Sequence, residues 1–195
     1  GWQSGDGEPG GALAFSLGLL LAPRDWSGLS LAVGLAVAEA LHLDIRLKWP
    51  NDLWWQGRKL AGILVETAGT GGGHSDRFAV IGIGINVFND VASIAGEIKD
   101  PPARLADLVR DCPSLHAVMA SLGSHLNQVL SVFSHGGVSA LQEGLSRAWA
   151  GERPVSILTD DETVRGIFTG IDDQGNPVLS LPAGAVRTIP AHLIN

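Results

Sequence analysis

Lys48, Asp52 and Lys59 fall within one short stretch, residues 48–66, which reads KWPNDLWWQGRKLAGILVE. Ammonium groups stabilise anions, and a carboxylate can carry a hard cation, so this combination suits a site for negatively charged groups. The elements that must hold it are readable around it. Leu43, Ile45, Leu47 and Trp49 alternate with Asp44, Arg46 and Lys48, the period of a strand with one buried face, which puts Lys48 at a strand's polar end. Pro50-Asn51-Asp52 breaks that strand, since proline has no N–H for a ladder and Asn and Asp favour turns. Leu53, Trp54 and Trp55 resume extended structure, Gln56-Gly57-Arg58 reads as a hairpin loop, and residues 59–65 are apolar enough for an interior strand. Lys59 therefore enters a sheet at its rim, where a lysine needs an anion to meet it.

A second pattern lies in residues 78–87, FAVIGIGINV. Gly82, Gly84 and Asn86 share one face of this strand, and Ile81, Ile83, Ile85 and Val87 share the other. Glycine inside a strand costs about 0.5–1 kcal/mol relative to alanine and marks a close approach. The bare face is expected to floor a pocket; the alternative is close packing against a helix. Asn86 offers a donor and an acceptor to a nucleotide. The glycines of residues 67–76 are read as a hairpin tip, because a strand follows where a phosphate loop would need a helix.

Composition bounds what the molecule does. With 195 residues, 45% apolar and 17% charged, the chain can build a core for one or two domains. A net charge of −7 argues against nucleic-acid binding, which needs a basic patch. No apolar run reaches the length of a membrane span. The single cysteine, Cys112, excludes a disulfide framework and fits a reducing cytoplasm.

Along the chain, residues 2–11 read as a loop and 12–21 as a strand of small and apolar residues. Residues 27–42 form a helix apolar nearly all round, and so buried, with Ser27 or Ser30 as its N-cap. After a loop at 89–102, a short helix runs through Leu105, Leu108 and Val109. Ser114 caps a longer one striped by Val118, Leu122, Leu126 and Phe133, which breaks at Gly136-Gly137. His116, His125 and His135 have no metal-ligand spacing. From Glu152, β-runs at 155–158, 164–171, 178–181 and 185–189 alternate with turns, which suggests a small antiparallel barrel.

KWPND, then RKLAGILVE, then IGIGINV at 81–87, in that order and spacing, resemble the catalytic domain of biotin protein ligases. The resemblance implies an α/β (α+β) fold, with a mixed central sheet covered by helices in residues 1–150 and an SH3-like β-barrel in residues 151–195. It implies an enzyme that uses ATP to activate biotin as biotinyl-5'-AMP. The biotinyl group then passes to a lysine of a biotin carboxyl carrier domain of acetyl-CoA carboxylase or a related carboxylase. Lys59 matches the family's catalytic lysine for biotin and the adenylate. Lys48 is expected to help on phosphate and Asp52 to carry Mg2+, with Asn51, Gly62, Gly82, Gly84 and Asn86 lining the site and Trp2 packing on adenine. A carrier lysine is the second nucleophile, so the enzyme needs none of its own.

Trp2 falls just after the family's glycine- and arginine-rich loop, so the family's first strands, its ureido contacts and its closing loop are expected upstream of Gly1. No helix-turn-helix is visible, and repressor function is not expected. A lipoate-type ligase on the same fold and a non-catalytic relative that binds carrier or nucleotide stay open. Homodimerisation is also left open.

Overall fold

The structure, a computed structural model, describes residues 11–69, 77–88 and 102–194. Trp2 and the loop at 89–101 lie outside the described residues, as does the tip of the glycine-rich hairpin. The larger sheet is built from β1 (Ala12–Leu21), β2 (Arg46–Lys48), β3 (Asp52–Trp55), β4 (Arg58–Gly69) and β5 (Arg77–Asn86), in the order β1-β5-β4-β3-β2. The expected α+β architecture stands, with one refinement. Every ladder of this sheet is antiparallel, and parallel pairing is confined to isolated bridges, Leu47 with Trp149 and Lys59 with Pro102. Short connections between successive strands require this, since antiparallel neighbours need only a hairpin. The β3–β4 loop is such a hairpin: Gln56 and Gly57 both have positive φ, 47° and 74°, as a two-residue turn of the primed type demands.

One face of the sheet is the core. Leu47, Leu53, Ala61, Ile63, Ile81, Ile83 and Ile85 are buried there under α1 (Leu29–Leu41). Helix α1 is buried on most of its surface because a second layer lies outside it: Ser121 Oγ of a longer helix donates to Ala40 O at 2.9 Å. The strand expected over 43–49 is shorter than its alternation suggests. Leu43 is 84% exposed and only Arg46–Lys48 joins the sheet, although Ile45 and Leu47 are buried as expected.

The α1 N-cap is neither Ser27 nor Ser30 but Gly28, with φ 75° and no side-chain cap. Ser30 Oγ instead lies 3.4 Å from Pro50 O, on the turn between β2 and β3. A Cβ at Gly28 would stand 2.1 Å from Val138 Cγ2, so both dihedral and space select glycine. Gly28→Ala should cost about 1–3 kcal/mol, and a Tm lowered by about 2–4 °C per kcal/mol should show it. An unchanged melting curve would contradict this account of the cap.

Past α2 (Leu105–Leu108), Ser114 caps α3 (Leu115–Gly136) as expected, accepting from Ala117 N at 3.3 Å. Helix α3 stops where Gly137 takes φ 62° and its N–H meets Phe133 O at 2.7 Å. A 3-10 turn and α4 (Gln142–Ala148) follow.

The second sheet is antiparallel throughout: β6 (Arg153–Leu158), β7 (Thr163–Ile171), β8 (Pro177–Ser180) and β9 (Val186–Thr188), in that order. Its core is Ile157, Val164, Phe168, Leu179 and Ile189. Trp49, Trp149 and Ile171 pack against both cores, and Ala150 N donates to Leu47 O at 2.9 Å, so the second sheet is joined to the first beside the 49–52 turn. Trp149 meets Phe168 edge to face at 5.5 Å, a geometry worth about 0.5–1.5 kcal/mol beyond burial. No helix among the described residues is long and apolar enough to cross a membrane.

Candidate functional site

Strand register assembles the site. Lys48 faces Asp52, Asp52 faces Gly62, Gly62 faces Gly84 and Gly84 faces Ala14, so one row crosses the whole sheet on the side away from α1. The next row is Leu64, Gly82 and Ser16. Residues opposite one another in an antiparallel pair project from the same face, so three glycines, an alanine and a serine make a shallow floor. This floor belongs to a cavity of about 560 Å³ whose polar groups are Ser16, Asn51, Asp52 and Lys59. The helix-packing alternative for the glycine face fails among the described residues: Gly34 of α1 approaches Leu47 and Ile63, on the opposite face.

Lys59 reaches this floor because β4 is irregular. Strict alternation from Gly62 would put residue 59 on the core side with Ala61 and Ile63. The β3–β4 register shifts between Leu53 and Trp54, so that Leu53 pairs with Ala61 but Trp54 with Lys59. Such a bulge re-aims a side chain. The lysine stem crosses Gly62, where a Cβ would stand 3.5 Å from both Cε and Nζ, and Nζ meets Asp52 Oδ1 at 2.6 Å. Lys59 is 36% exposed and Asp52 16%, so the pair sits at the cavity's mouth with the carboxylate on the inside. The lysine expected to await an anion thus has one in Asp52.

The Lys59 backbone is pinned from the other side. Ala103 N donates to Lys59 O at 2.7 Å, and Arg58 lies 3.5 Å from Asp107, which also closes the N-terminal turn of α2 through Arg104. Burial pushes the Asp107 carboxyl up, but hydrogen bonds from the Arg104 side chain and backbone and the charges of Arg104 and Arg58 outweigh it, and its pKa is lowered. A lowered carboxyl stabilises the fold above its unfolded pKa of about 3.9, and that contribution disappears as pH falls through the folded value. The parent should therefore melt above Asp107→Asn at neutral pH, and the two should converge in acid. Melts from about pH 6 to about pH 2 check this; a gap that persists at the acid end would contradict it.

Asn51 stands over the cavity from the turn after the cis Trp49–Pro50 bond. Its Nδ2 donates to Ile63 O at 2.8 Å and its backbone O accepts from Ile63 N at 3.0 Å, which fixes the side-chain amide at the cavity wall. Lys48 lies beyond Asp52 in the same row, with Nζ 3.8 Å from the Trp54 ring centroid, and is not in the cavity wall among the described residues. Asn86 pairs with Ala12 at the end of the glycine face, next to the wall rather than in it. Ala14, Ser16 and Leu64 are wall residues that the sequence reading did not single out. A groove of similar volume, about 550 Å³, lies on the second sheet with Arg165 as its one charged residue, and gathers no comparable polar set.

Residues 7–86 match the Biotin/lipoate A/B protein ligase family, and residues 151–191 match the Biotin protein ligase C terminal domain. The chain is 37% identical over 161 residues to the bifunctional ligase/repressor BirA of Escherichia coli, covering 76% of this chain and 46% of that protein. It is 32% identical over 164 residues to the biotin--[acetyl-CoA-carboxylase] ligase of Paracoccus denitrificans, covering 82% and 65%. The chain spans about half the length of the BirA relatives from Escherichia coli and Salmonella typhimurium. Among solved structures, the biotin protein ligase from Aquifex aeolicus in complex with biotin and ATP superposes with a TM-score of 0.76 at 25% identity, over 95% of this chain and 78% of that one.

Proposed function

Since this chain belongs to the biotin protein ligase family, we propose that it activates biotin with ATP and transfers it to a lysine of a biotin carboxyl carrier domain. The observation that carries this reading is Lys59 held against Asp52 over a floor of glycines. In the first step a biotin carboxylate oxygen attacks the α-phosphorus of ATP and pyrophosphate leaves. In the second, the carrier lysine's amine attacks the acyl carbon, AMP leaves with the former carboxylate oxygen, and the amine's proton passes to solvent. Both steps gather negative charge beside the acyl and phosphoryl groups, and a fixed ammonium such as Lys59 stabilises it. Asn51 orients the nucleotide, Gly62, Gly82 and Gly84 admit the ligand's flat side, and Asn86 and Lys48 serve the nucleotide's outer end.

The cavity size suits a drug-sized ligand with a few convergent polar groups. Biotin is favoured over lipoate by the C-terminal match, whose family description names biotin protein ligases alone. Residues 1–150 act as the catalytic unit and 151–195 as its support. The acidic net charge of −7 speaks against nucleic acid as a partner. A reducing cytoplasm is the proposed compartment, with Cys112 an idle thiol whose pKa burial pushes up.

Magnesium was expected on Asp52, and the residues fit a protein-held ion poorly. Among the described residues, Asp52 is the one carboxylate in the cavity wall, its Oδ1 is on Lys59, and no group of three metal-type side chains occurs. Magnesium that arrives with ATP would take its oxygens from phosphate and water, and no step here depends on it.

Biotin-dependent exchange of labelled pyrophosphate into ATP by the full-length protein tests the first step, with lipoate as the competing acid. Exchange with lipoate and not biotin would move the assignment to the lipoate branch. Ligand binding without exchange would favour the non-catalytic relative.

A further inference from the structure

Arg153 opens β6 in the second sheet, yet its guanidinium turns toward the first. It packs over the Phe168 ring, 4.9 Å from the centroid, and Nη2 lies 3.5 Å from Trp49 O on the turn that carries Asn51 and Asp52. Nη1 is fully enclosed and has no hydrogen-bond partner among the described residues. Enclosed donors are nearly always satisfied, and one without a partner asks what it is kept for. Asp52 follows Trp49 by three residues on that turn and bears on the guanidinium: burial holds Arg153 below its ordinary pKa, and the Asp52 charge raises it.

Asp52 has a difficulty of its own. With Lys59 on its Oδ1 it is satisfied, but under the proposed function Lys59 must turn to the ligand's carboxylate and phosphate. A largely buried carboxylate would then lose its charged partner, which is costly. We infer that Arg153 is the reserve counter-ion of Asp52, a positioning residue whose enclosed Nη1 takes up the carboxylate when a carboxylate ligand draws Lys59 away.

Arginine suits the task, because its planar fork holds donors in fixed, separate directions, one for the Trp49 carbonyl and another for Asp52, whereas a lysine offers one compact charge on a flexible stem. The second sheet thereby lowers the cost of freeing Lys59, without touching the ligand.

This inference rests on the proposed reading of Lys59, and its test separates the two. Affinities of the full-length protein for biotin and for biotinol, which has the same rings and chain but an alcohol in place of the carboxylate, are measured by titration calorimetry. Only biotin requires Lys59 to leave Asp52. Arg153→Gln should weaken biotin about ten- to a hundred-fold and leave biotinol within a few-fold. Arg153→Lys should fall between parent and Arg153→Gln, and it carries the comparison if Arg153→Gln does not fold. In an Asp52→Asn background, where no carboxylate needs a reserve partner, Arg153→Gln should cost nothing further. Equal losses for both ligands, or additive losses in the double variant, would reduce Arg153 to a structural brace and overturn the inference. A parent protein that does not prefer biotin to biotinol would instead overturn the reading of Lys59.

Discussion

Gly82→Val should give a folded protein that no longer binds biotin. A Cβ built at Gly82 meets Leu64 Cβ and O at 3.7 Å and Ser16 Oγ at 3.8 Å, which is ordinary contact, so the strand has room for a side chain there. Valine also suits a strand better than glycine, by up to about 1 kcal/mol, and the melting temperature should hold or rise. The space that valine's two methyls take is the cavity above the floor, between Leu64 and Ser16. Gly82→Ala, one methyl smaller, should show a partial loss. The measurement pairs a melt with a biotin titration. Parental affinity in a folded Gly82→Val protein would mean that the ligand does not lie on this face; a loss of stability alone would return the glycine to a packing role.

Where a single strand carries its own signal, the sequence already showed the site. Ile81, Ile83 and Ile85 against Gly82, Gly84 and Asn86 state which face is core and which is bare, and the structure buries the isoleucines under α1. Strand β1 carries the same message in Ala12, Ala14, Ser16 and Gly18 alternating with Leu13, Phe15, Leu17 and Leu19. That pattern was open to the same argument, and it would have added Ala14 and Ser16 to the floor.

What sequence could not supply was register. Asp52 lies opposite Gly62 and within 2.6 Å of Lys59 only because β3 and β4 pair with a bulge, and no residue type announces one. The α1 cap turned on Val138, more than a hundred residues away, which leaves no room for a side chain at residue 28. Arg153 was invisible for the same reason: a lone arginine at the start of a strand gains its meaning from Trp49 and Asp52, which come to it through the tertiary fold.

Lys59→Met should cost catalysis far more than folding. Methionine keeps the length and apolar character of the stem that crosses Gly62, so packing is nearly conserved. The ion pair with Asp52 is lost, but Lys59 is over a third exposed, which screens the pair, and the carboxylate keeps Arg153 as its reserve counter-ion, so the melting temperature should move little. In the ligand complex the loss is larger. A charge-assisted bond to the ligand is worth about 1.5–3 kcal/mol, which is about ten- to a hundred-fold in affinity. The rate should fall further, because negative charge on the reacting oxygens grows toward the transition state, and only interactions that strengthen there raise the rate. Removing one preorganised donor of this kind costs about 10²–10³-fold in kcat. Lys48→Met, with its ammonium over Trp54 and outside the cavity wall, should weaken ATP more than biotin and leave biotin affinity near the parental value. Single-turnover formation of biotinyl-5'-AMP, measured beside a melt for each variant, separates the two lysines. Parental turnover by Lys59→Met would remove Lys59 from the chemistry and leave it only as the partner of Asp52.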